Sequence, residues 1–333
     1  MARFDLSEDD LRVYLPTVRV EGDFDAFWKR TIAEARATGG DVRTTPVSTR
    51  LQGVEVYDLN FPGFAGEPIR AWYLRPRDRD EPLPTIVEYI GYGGGRGLPH
   101  DHLAWVTAGY AHVVMDTRGQ GSSWASGGVT SDPHGTGPSV PGFMTRGIED
   151  PDTYYYRRLI TDAVRCADAA RGLPGVDPGQ LVVTGVSQGG GLALAVAGLH
   201  PDLAAAMIDV PFLCHFERAV GLSDRDPYAE VARYLAKHRS QREVTFRTLS
   251  YFDGVNFAAR ATAPALFSTA LHDATCPPST VFAAFNAYAG LKEMTVFPFN
   301  DHEGGGASRW PSLVAFADRA LRQHPRRPPA AVH

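Results

Sequence analysis

The sequence predicts a doubly wound α/β fold with a mostly parallel sheet, and three observations carry that expectation. From Thr85 onward, short apolar runs alternate with stretches of helical character: Thr85 to Tyr89, Ala111 to Asp116, Leu181 to Thr184, Ala205 to Val210, Ala265 to Thr269 and Met294 to Phe297. Repetition of this kind buries a parallel sheet under helices on both faces and gathers functional loops at the strand C-termini. The run Leu181-Val182-Val183-Thr184 also passes through Gly185-Val186-Ser187-Gln188-Gly189 directly into the small-residue stretch Gly190 to Leu199. Finally, 333 residues that are 44% apolar and 21% charged suffice for one large domain, with no second one required.

Ahead of the repeating units, Asp23 to Ala37 reads as an amphipathic helix with Phe24, Phe27, Trp28 and Ile32 on one side. It closes an N-terminal extension of about residues 1–50. The alternating segments Val54 to Phe61 and Ile69 to Leu74 follow as antiparallel neighbours. Between the strands ending at Val210 and beginning at Ala263, residues 211–261 exceed a simple crossover and predict a helical insertion beside the site. A last helix runs from about Ser308 to Arg322. The domain thus spans 1–324, and 325–333, containing Pro325-Arg326-Arg327-Pro328-Pro329, reads as a flexible tail. No internal repeat is present.

Composition narrows the function. A net charge of −5 and a pI near 6.1 offer no electrostatic attraction for nucleic acid or an anionic membrane. Cys166, Cys214 and Cys276 are odd in number and scattered, which argues against a disulfide framework and fits a reducing cytoplasm. The N-terminal residues lack an apolar export segment, and no stretch is long enough to span a bilayer. A soluble cytoplasmic enzyme is the expectation.

Strand, Gly-x-Ser-x-Gly turn and helix together form a nucleophile elbow, the junction that exposes a serine hydroxyl in the α/β-hydrolase fold. Ser187 is therefore the candidate nucleophile. Serine needs a base, and the base needs an orienting acid. In this fold both come from loops after later strands, in the order serine, acid, histidine. Asp273 stands at the C-terminal end of the strand that begins near Ala265, and His302 stands in the glycine-rich loop after Phe297. His272 is a rival base. Asp301 and Glu303 flank His302 and are rival acids, but sequence neighbours rarely reach back to orient an adjacent imidazole. Asp273 could instead cap the helix after Pro277, a task for which Ser279 is better placed. His100-Asp101-His102 lacks the distant partners a metal site needs, and Cys276 reads as a buried structural thiol.

An acyl-transfer site also needs donors for the oxyanion. One is the N–H of Gln188, directly after the nucleophile; the other falls in the loop after Thr85 to Tyr89, where Tyr92 precedes Gly93-Gly94-Gly95. Phe212, Pro227 and Tyr228, in the insertion, are candidate walls for substrate. This machinery calls for neither a metal nor an organic cofactor.

Three segments in this order, Arg118-Gly119-Gln120-Gly121, the elbow Gly185 to Gly189, and His302-Glu303, resemble the acetyl xylan esterase and cephalosporin C deacetylase family, carbohydrate esterase family seven. Asp152-Thr153-Tyr154-Tyr155-Tyr156-Arg157 and Leu249-Ser250-Tyr251-Phe252-Asp253 are similar too, and the likeness runs from Phe4 to about Leu321. It implies a triad of Ser187, Asp273 and His302 and oxyanion donors at Tyr92 and Gln188. It further implies removal of acetyl groups from small soluble substrates such as xylo-oligosaccharides and cephalosporin C, by a ring-like hexamer. Another ester, a lactone or a peptide as substrate is the alternative, and a non-catalytic binding protein a remote one.

Two positions depart from the family pattern. Ile90 replaces a histidine common in the oxyanion loop, and Asp301 replaces a glycine before His302. A carboxylate facing the imidazole would move the acidic limb of the activity profile to higher pH. Arg118 has no obvious part in triad chemistry, and its fixed donors suit scaffolding better than substrate contact.

Overall fold

A computed structural model describes residues 5–124, 127–134 and 142–324. The tail expected at 325–333 lies outside the described residues. Nine strands form one sheet in the order β1-β2-β3-β5-β4-β6-β7-β8-β9. They are β1 (Arg43–Pro46), β2 (Val54–Pro62), β3 (Pro68–Pro76), β4 (Leu83–Tyr89), β5 (Ala111–Met115), β6 (Val176–Val186), β7 (Ala205–Asp209), β8 (Ala265–Ala270) and β9 (Lys292–Phe297). β1, β2 and β3 pair antiparallel, as does β3 with β5; from β5 across to β9 every pairing is parallel.

The parallel centre explains why those strands read as unbroken apolar runs. All residues of β5, β7 and β8 are buried, as expected when helices cover both faces. On one face lie α2 (Phe24–Ala37), α4 (Tyr155–Arg171), α5 (Gln188–Leu199), α9 (Gly254–Ala258) and α10 (Pro278–Ala287), whose apolar side chains form the larger core. A smaller core joins α3 (Leu103–Thr107) and α11 (Trp310–Gln323) through Trp105, Tyr110, Phe316 and Ala317 to the other face. The short α1 (Glu8–Arg12) packs Leu11 against Leu271 and Phe282.

In α2, the residues predicted to share a face are buried, and Trp28 donates its indole N–H to the Tyr251 carbonyl at 2.8 Å. Between β7 and β8 the chain forms α6 (Phe216–Leu222), α7 (Tyr228–Lys237), α8 (Arg242–Ser250) and α9, the helices expected for 211–261. β1 was not foreseen; four mostly exposed residues carry no alternation of apolar and polar positions. Cys166, Cys214 and Cys276 are free and buried. Among the described residues, no helix is long and apolar enough to cross a membrane.

The turn from β7 into α6 is conformationally costly. Val210, Leu213 and His215 all have positive φ, 38°, 66° and 48°, where a β-branched or bulky residue persists only if its surroundings hold it. They do: the buried Asp253 carboxylate accepts the His215 and Phe216 N–H groups at 2.8 and 2.9 Å, and Gly254 N–H binds the Leu213 carbonyl at 2.7 Å. Burial, with Arg218 adding to it, pushes the His215 imidazole down to about 4. Free imidazole titrates near 6.5, so the fold favours the neutral ring. Its contribution to stability is complete above about pH 6.5 and is lost as pH falls toward 4. His215→Asn tolerates the left-handed backbone and does not titrate. Thermal midpoints at pH 7 and pH 4.5 should differ less in this variant than in the wild type.

Candidate active site

β6 ends by turning Ser187 to φ 57° and ψ −119°. Three backbone bonds hold it there: its N–H reaches the Asp209 carbonyl at 3.0 Å, while its own carbonyl accepts from Gly191 and Phe212, each at 2.9 Å. The flanking glycines follow from crowding. A Cβ at Gly185 would lie 2.2 Å from the Gly189 carbonyl carbon, and one at Gly189 would lie 2.0 Å from the Tyr89 oxygen. The elbow thus forces its serine into view by leaving no other room.

His302 approaches from the loop after β9. Its Nε2 is 3.0 Å from Ser187 Oγ, and its Nδ1 is 2.8 Å from Asp273 Oδ2. Asp273 is fully buried after β8, and its other oxygen accepts the N–H groups of Thr275 and Cys276, both at 2.8 Å. A carboxylate so held accepts a hydrogen bond from Nδ1–H, which leaves the Nε2 lone pair toward the serine hydroxyl. The structure brings together the three residues that sequence placed 115 and 29 positions apart.

The rivals do not hold these positions. The imidazole that meets Ser187 is that of His302, while His272 bonds through its backbone N–H to the Asn300 carbonyl at 3.1 Å. Glu303 accepts from the Asn300 amide at 2.7 Å and the Asp301 N–H at 3.1 Å. His102 Nε2 contacts the Arg96 carbonyl at 2.8 Å. Ligand atoms of Asp273, Cys276 and His302 lie within 4.8 Å of one another, close enough for a metal. Yet the carboxylate and Nδ1 are already spent on the bonds that orient the imidazole, and burial holds the Cys276 thiol well above its ordinary range, hence protonated.

A cavity of about 490 Å³ opens over Ser187 and His302, with Ile90, Tyr92, Trp124 and Pro227 in its walls. Gln188, as the first residue of α5, places its N–H at a helix start, where amides have no intrahelical partner. Pro227 lines the cavity as expected. Phe212 and Tyr228 are fully buried with ring centroids 4.4 Å apart, and Phe212 stands 6.2 Å from the Tyr92 ring. They back the wall instead of forming its surface.

Behind the loops lies a polar frame centred on the Arg-Gly-Gln-Gly segment. Arg118 is fully buried and paired with Asp162 at 2.8 Å, Glu67 at 2.6 Å and Asp132 at 3.3 Å. Its carbonyl accepts the Tyr155 hydroxyl at 2.6 Å. Gln120 accepts the Gly93 N–H at 2.7 Å and donates to Tyr155 at 2.9 Å and to the Gln188 side chain at 3.0 Å. Gln188 in turn donates to the Ile90 carbonyl at 3.1 Å. The segment joins the loop after β4 to Gln188, and Arg118 is its scaffold.

Sequence reasoning missed Trp124, whose indole N–H donates to the Tyr92 carbonyl at 2.7 Å. The glycines were the available signal: a Cβ at Gly94 would meet that ring at 2.5 Å. It also missed Arg225, which corrects the expectation for Asp301. The Asp301 carboxylate faces the Arg225 guanidinium at 2.9 and 3.1 Å and accepts the backbone N–H of His302 at 2.8 Å. Partial burial alone would raise this carboxyl, but Arg225 and the backbone donors hold it below the usual range. Asp301 fastens the loop, and its charge is answered by Arg225 instead of falling on the imidazole ring.

A charge cycle tests that arrangement. Arg225→Met strips the compensation and should move the acidic limb of kcat/KM to higher pH. Asp301→Asn leaves Arg225 alone and should move it lower. The double variant should return to the wild-type midpoint in a pH–rate profile.

The profile of the acetyl xylan esterase (AXE1) family matches residues 1–319. The structure is similar to the acetyl xylan esterase from Paenibacillus sp. R4, with a TM-score of 0.89 and 38% identity over 94% of this chain and 99% of that one. It is likewise similar to acetyl xylan esterase 1 from Thermoanaerobacterium sp. JW/SL YS485, with a TM-score of 0.86 and 32% identity over 97% of this chain and all of that one. Among curated proteins, acetyl esterase Axe7A of Xylanibacter ruminicola is 26% identical over 309 residues, 86% of this chain; the match spans 64% of that protein's length. With Ser187 on an α/β-hydrolase elbow and a family match across nearly its whole length, the chain belongs to the acetyl xylan esterase family.

Proposed function

We propose that this protein is a carboxylic ester hydrolase that removes acetyl groups from small soluble substrates, among them acetylated xylo-oligosaccharides and cephalosporin C. The observation that carries the reading is the continuous hydrogen-bonded line from Asp273 through His302 to Ser187, at 2.8 and 3.0 Å, on the floor of an open cavity. Family membership supports acetyl as the acyl group and xylan-derived alcohols, and the motif resemblance adds cephalosporin C.

In this mechanism His302 Nε2 takes the Ser187 proton as Oγ attacks the ester carbonyl, and Asp273 stabilises the imidazolium that forms. The N–H groups of Tyr92 and Gln188 receive the oxyanion, each contributing roughly 3 to 4 kcal/mol to the transition state. The imidazolium then protonates the leaving alcohol. Water, deprotonated by the same imidazole, attacks the acetyl-serine and releases acetate. The rings of Phe212 and Tyr228 stiffen the wall beside Tyr92, while Pro227 meets the substrate directly.

Ser187→Ala should abolish turnover of p-nitrophenyl acetate without lowering the thermal midpoint. Asp273→Asn should lose activity on the order of 10⁴-fold, because the imidazole then adopts the wrong tautomer. Serine-dependent hydrolysis should concentrate on acetyl over butyryl and octanoyl esters and release acetate from acetylated xylo-oligosaccharides; preference for longer chains would reassign the substrate. The assembly proposed is the homo-hexamer. Light scattering should accordingly report six chains of 36.2 kDa, and a monomer mass would remove that proposal.

A further inference from the structure

Glu230 belongs to no part of the acyl-transfer chemistry, yet it is only 4% exposed and sits on α7, three residues after the cavity-wall Pro227. Its Oε1 accepts the Tyr92 hydroxyl at 2.6 Å, and its Oε2 accepts the Met144 N–H at 3.1 Å. The Tyr92 oxygen accepts in turn from the Phe143 N–H at 2.6 Å. One buried carboxylate therefore ties together the helical segment after β7, the 143–144 backbone and the side chain of the residue whose N–H faces the oxyanion.

Tyr92 is fixed at every group except that N–H. Trp124 holds its carbonyl, Glu230 and Phe143 hold its hydroxyl, and the rings of Phe143 and Phe212 stand 5.6 and 6.2 Å from its own. Clamps at the tip of the side chain and at the carbonyl fix the Tyr92 Cα frame, and the Gly91 carbonyl, held by the Gly94 N–H at 3.1 Å, fixes the plane of the peptide that carries the Tyr92 N–H. Oxyanion donors act through preorganisation, and their value falls steeply with misalignment. The neighbouring glycines give the loop freedom to misalign, since Gly93 lies at φ 80°. A buried carboxylate without a paired cation is costly unless its hydrogen bonds justify it. Burial raises the Glu230 carboxyl, with Tyr92 and Met144 opposing, and among the described residues it forms no ion pair.

We propose that Glu230 is a positioning residue for the oxyanion hole: through the Tyr92 hydroxyl it sets the direction of the Tyr92 N–H. The inference rests on the esterase reading above. It assigns Glu230 an effect on the transition state and none on the bound ester.

The test is steady-state hydrolysis of p-nitrophenyl acetate by wild type, Tyr92→Phe, Glu230→Ala, Glu230→Gln and the Tyr92→Phe/Glu230→Ala double variant, with thermal midpoints measured alongside. Tyr92→Phe keeps the backbone N–H and the ring and loses only the tether. It and Glu230→Ala should each lower kcat about tenfold with KM within about twofold. The double variant should be no slower than the slower single one, since both cut the same link. Glu230→Gln keeps an acceptor for the Tyr92 hydroxyl and should recover most of the rate. A trifluoromethyl ketone, which forms the oxyanion adduct on Ser187, should bind more weakly to both single variants by the same factor as the loss in kcat. Multiplying effects in the double variant, a rise in KM matching the fall in kcat, or unchanged kcat in Tyr92→Phe would overturn the proposal. If Glu230→Ala does not fold, Tyr92→Phe and Glu230→Gln decide the question alone. Wild type that does not cleave the ester in a Ser187-dependent manner would defeat the esterase reading itself, a result distinct from active wild type with indifferent variants.

Discussion

The positive φ of Ser187 is the constraint on which the remainder of the site depends. A serine that turns back at the end of a central strand needs its peptide pinned on both sides, and the partners are the Asp209 carbonyl and the Gly191 and Phe212 amides. Those bonds bring the end of β7 and the start of α5 into backbone contact. Such closeness excludes side chains: a Cβ at Gly190 would lie 2.8 Å from the Asp209 oxygen, and one at Gly191 would lie 2.3 Å from that of Phe212. The chain after β7 must then turn sharply away, which places Val210, Leu213 and His215 in conformations they would not choose. Exposure of one hydroxyl thus sets the glycine pattern of α5 and the strain at the head of α6.

Around that fixed point the protein uses polar groups as structural ties. Arg118, Asp162 and Asp132 form a buried charged cluster where an apolar core would be simpler. Removing one partner from such a cluster typically costs about 3 to 5 kcal/mol. What the cluster provides is direction: the Arg118 carbonyl and Gln120 side chain aim Tyr155, Gly93 and Gln188 at fixed geometry. At the far side, Arg309 binds Asp209 at 3.0 Å and Thr295 at 2.6 Å, so the turn after the His302 loop is fastened to the strand beside the nucleophile. Backbone bonds hold the serine, Gln120 ties the loop after β4 to Gln188, and Arg309 ties the chain after the His302 loop to the end of β7.

Much of this was legible in the sequence because it is written locally. The elbow is a run of five residues, the parallel strands are continuous apolar runs, and Asp273 and His302 follow strands whose ends are marked by proline or glycine. What escaped is non-local. Tyr92 and Glu230 are 138 positions apart, and nothing in Tyr228-Ala229-Glu230-Val231 distinguishes the acid from a solvated helical charge. Arg225 and Asp301 are 76 apart, so a carboxylate beside His302 looked unbalanced. Phe212 and Tyr228 read as cavity walls because aromatic residues in an insertion have two apolar neighbours to choose from, substrate or core; here the pair, with rings tilted 59° to each other, is buried behind Tyr92.

Three carboxylates at the site show how surroundings divide the labour of one functional group. Asp273 is buried and accepts two backbone amides on one oxygen and the imidazole on the other, an arrangement that aims its acceptors at the imidazole ring. Asp301, near the same imidazole, spends its charge on Arg225 and is left to hold the loop by its acceptors. Among the described residues Glu230 meets neither an imidazole nor a paired guanidinium, but a phenol and one amide. An anion with so little compensation is retained where directional bonds matter more than charge, and in this site the direction it sets is that of Tyr92.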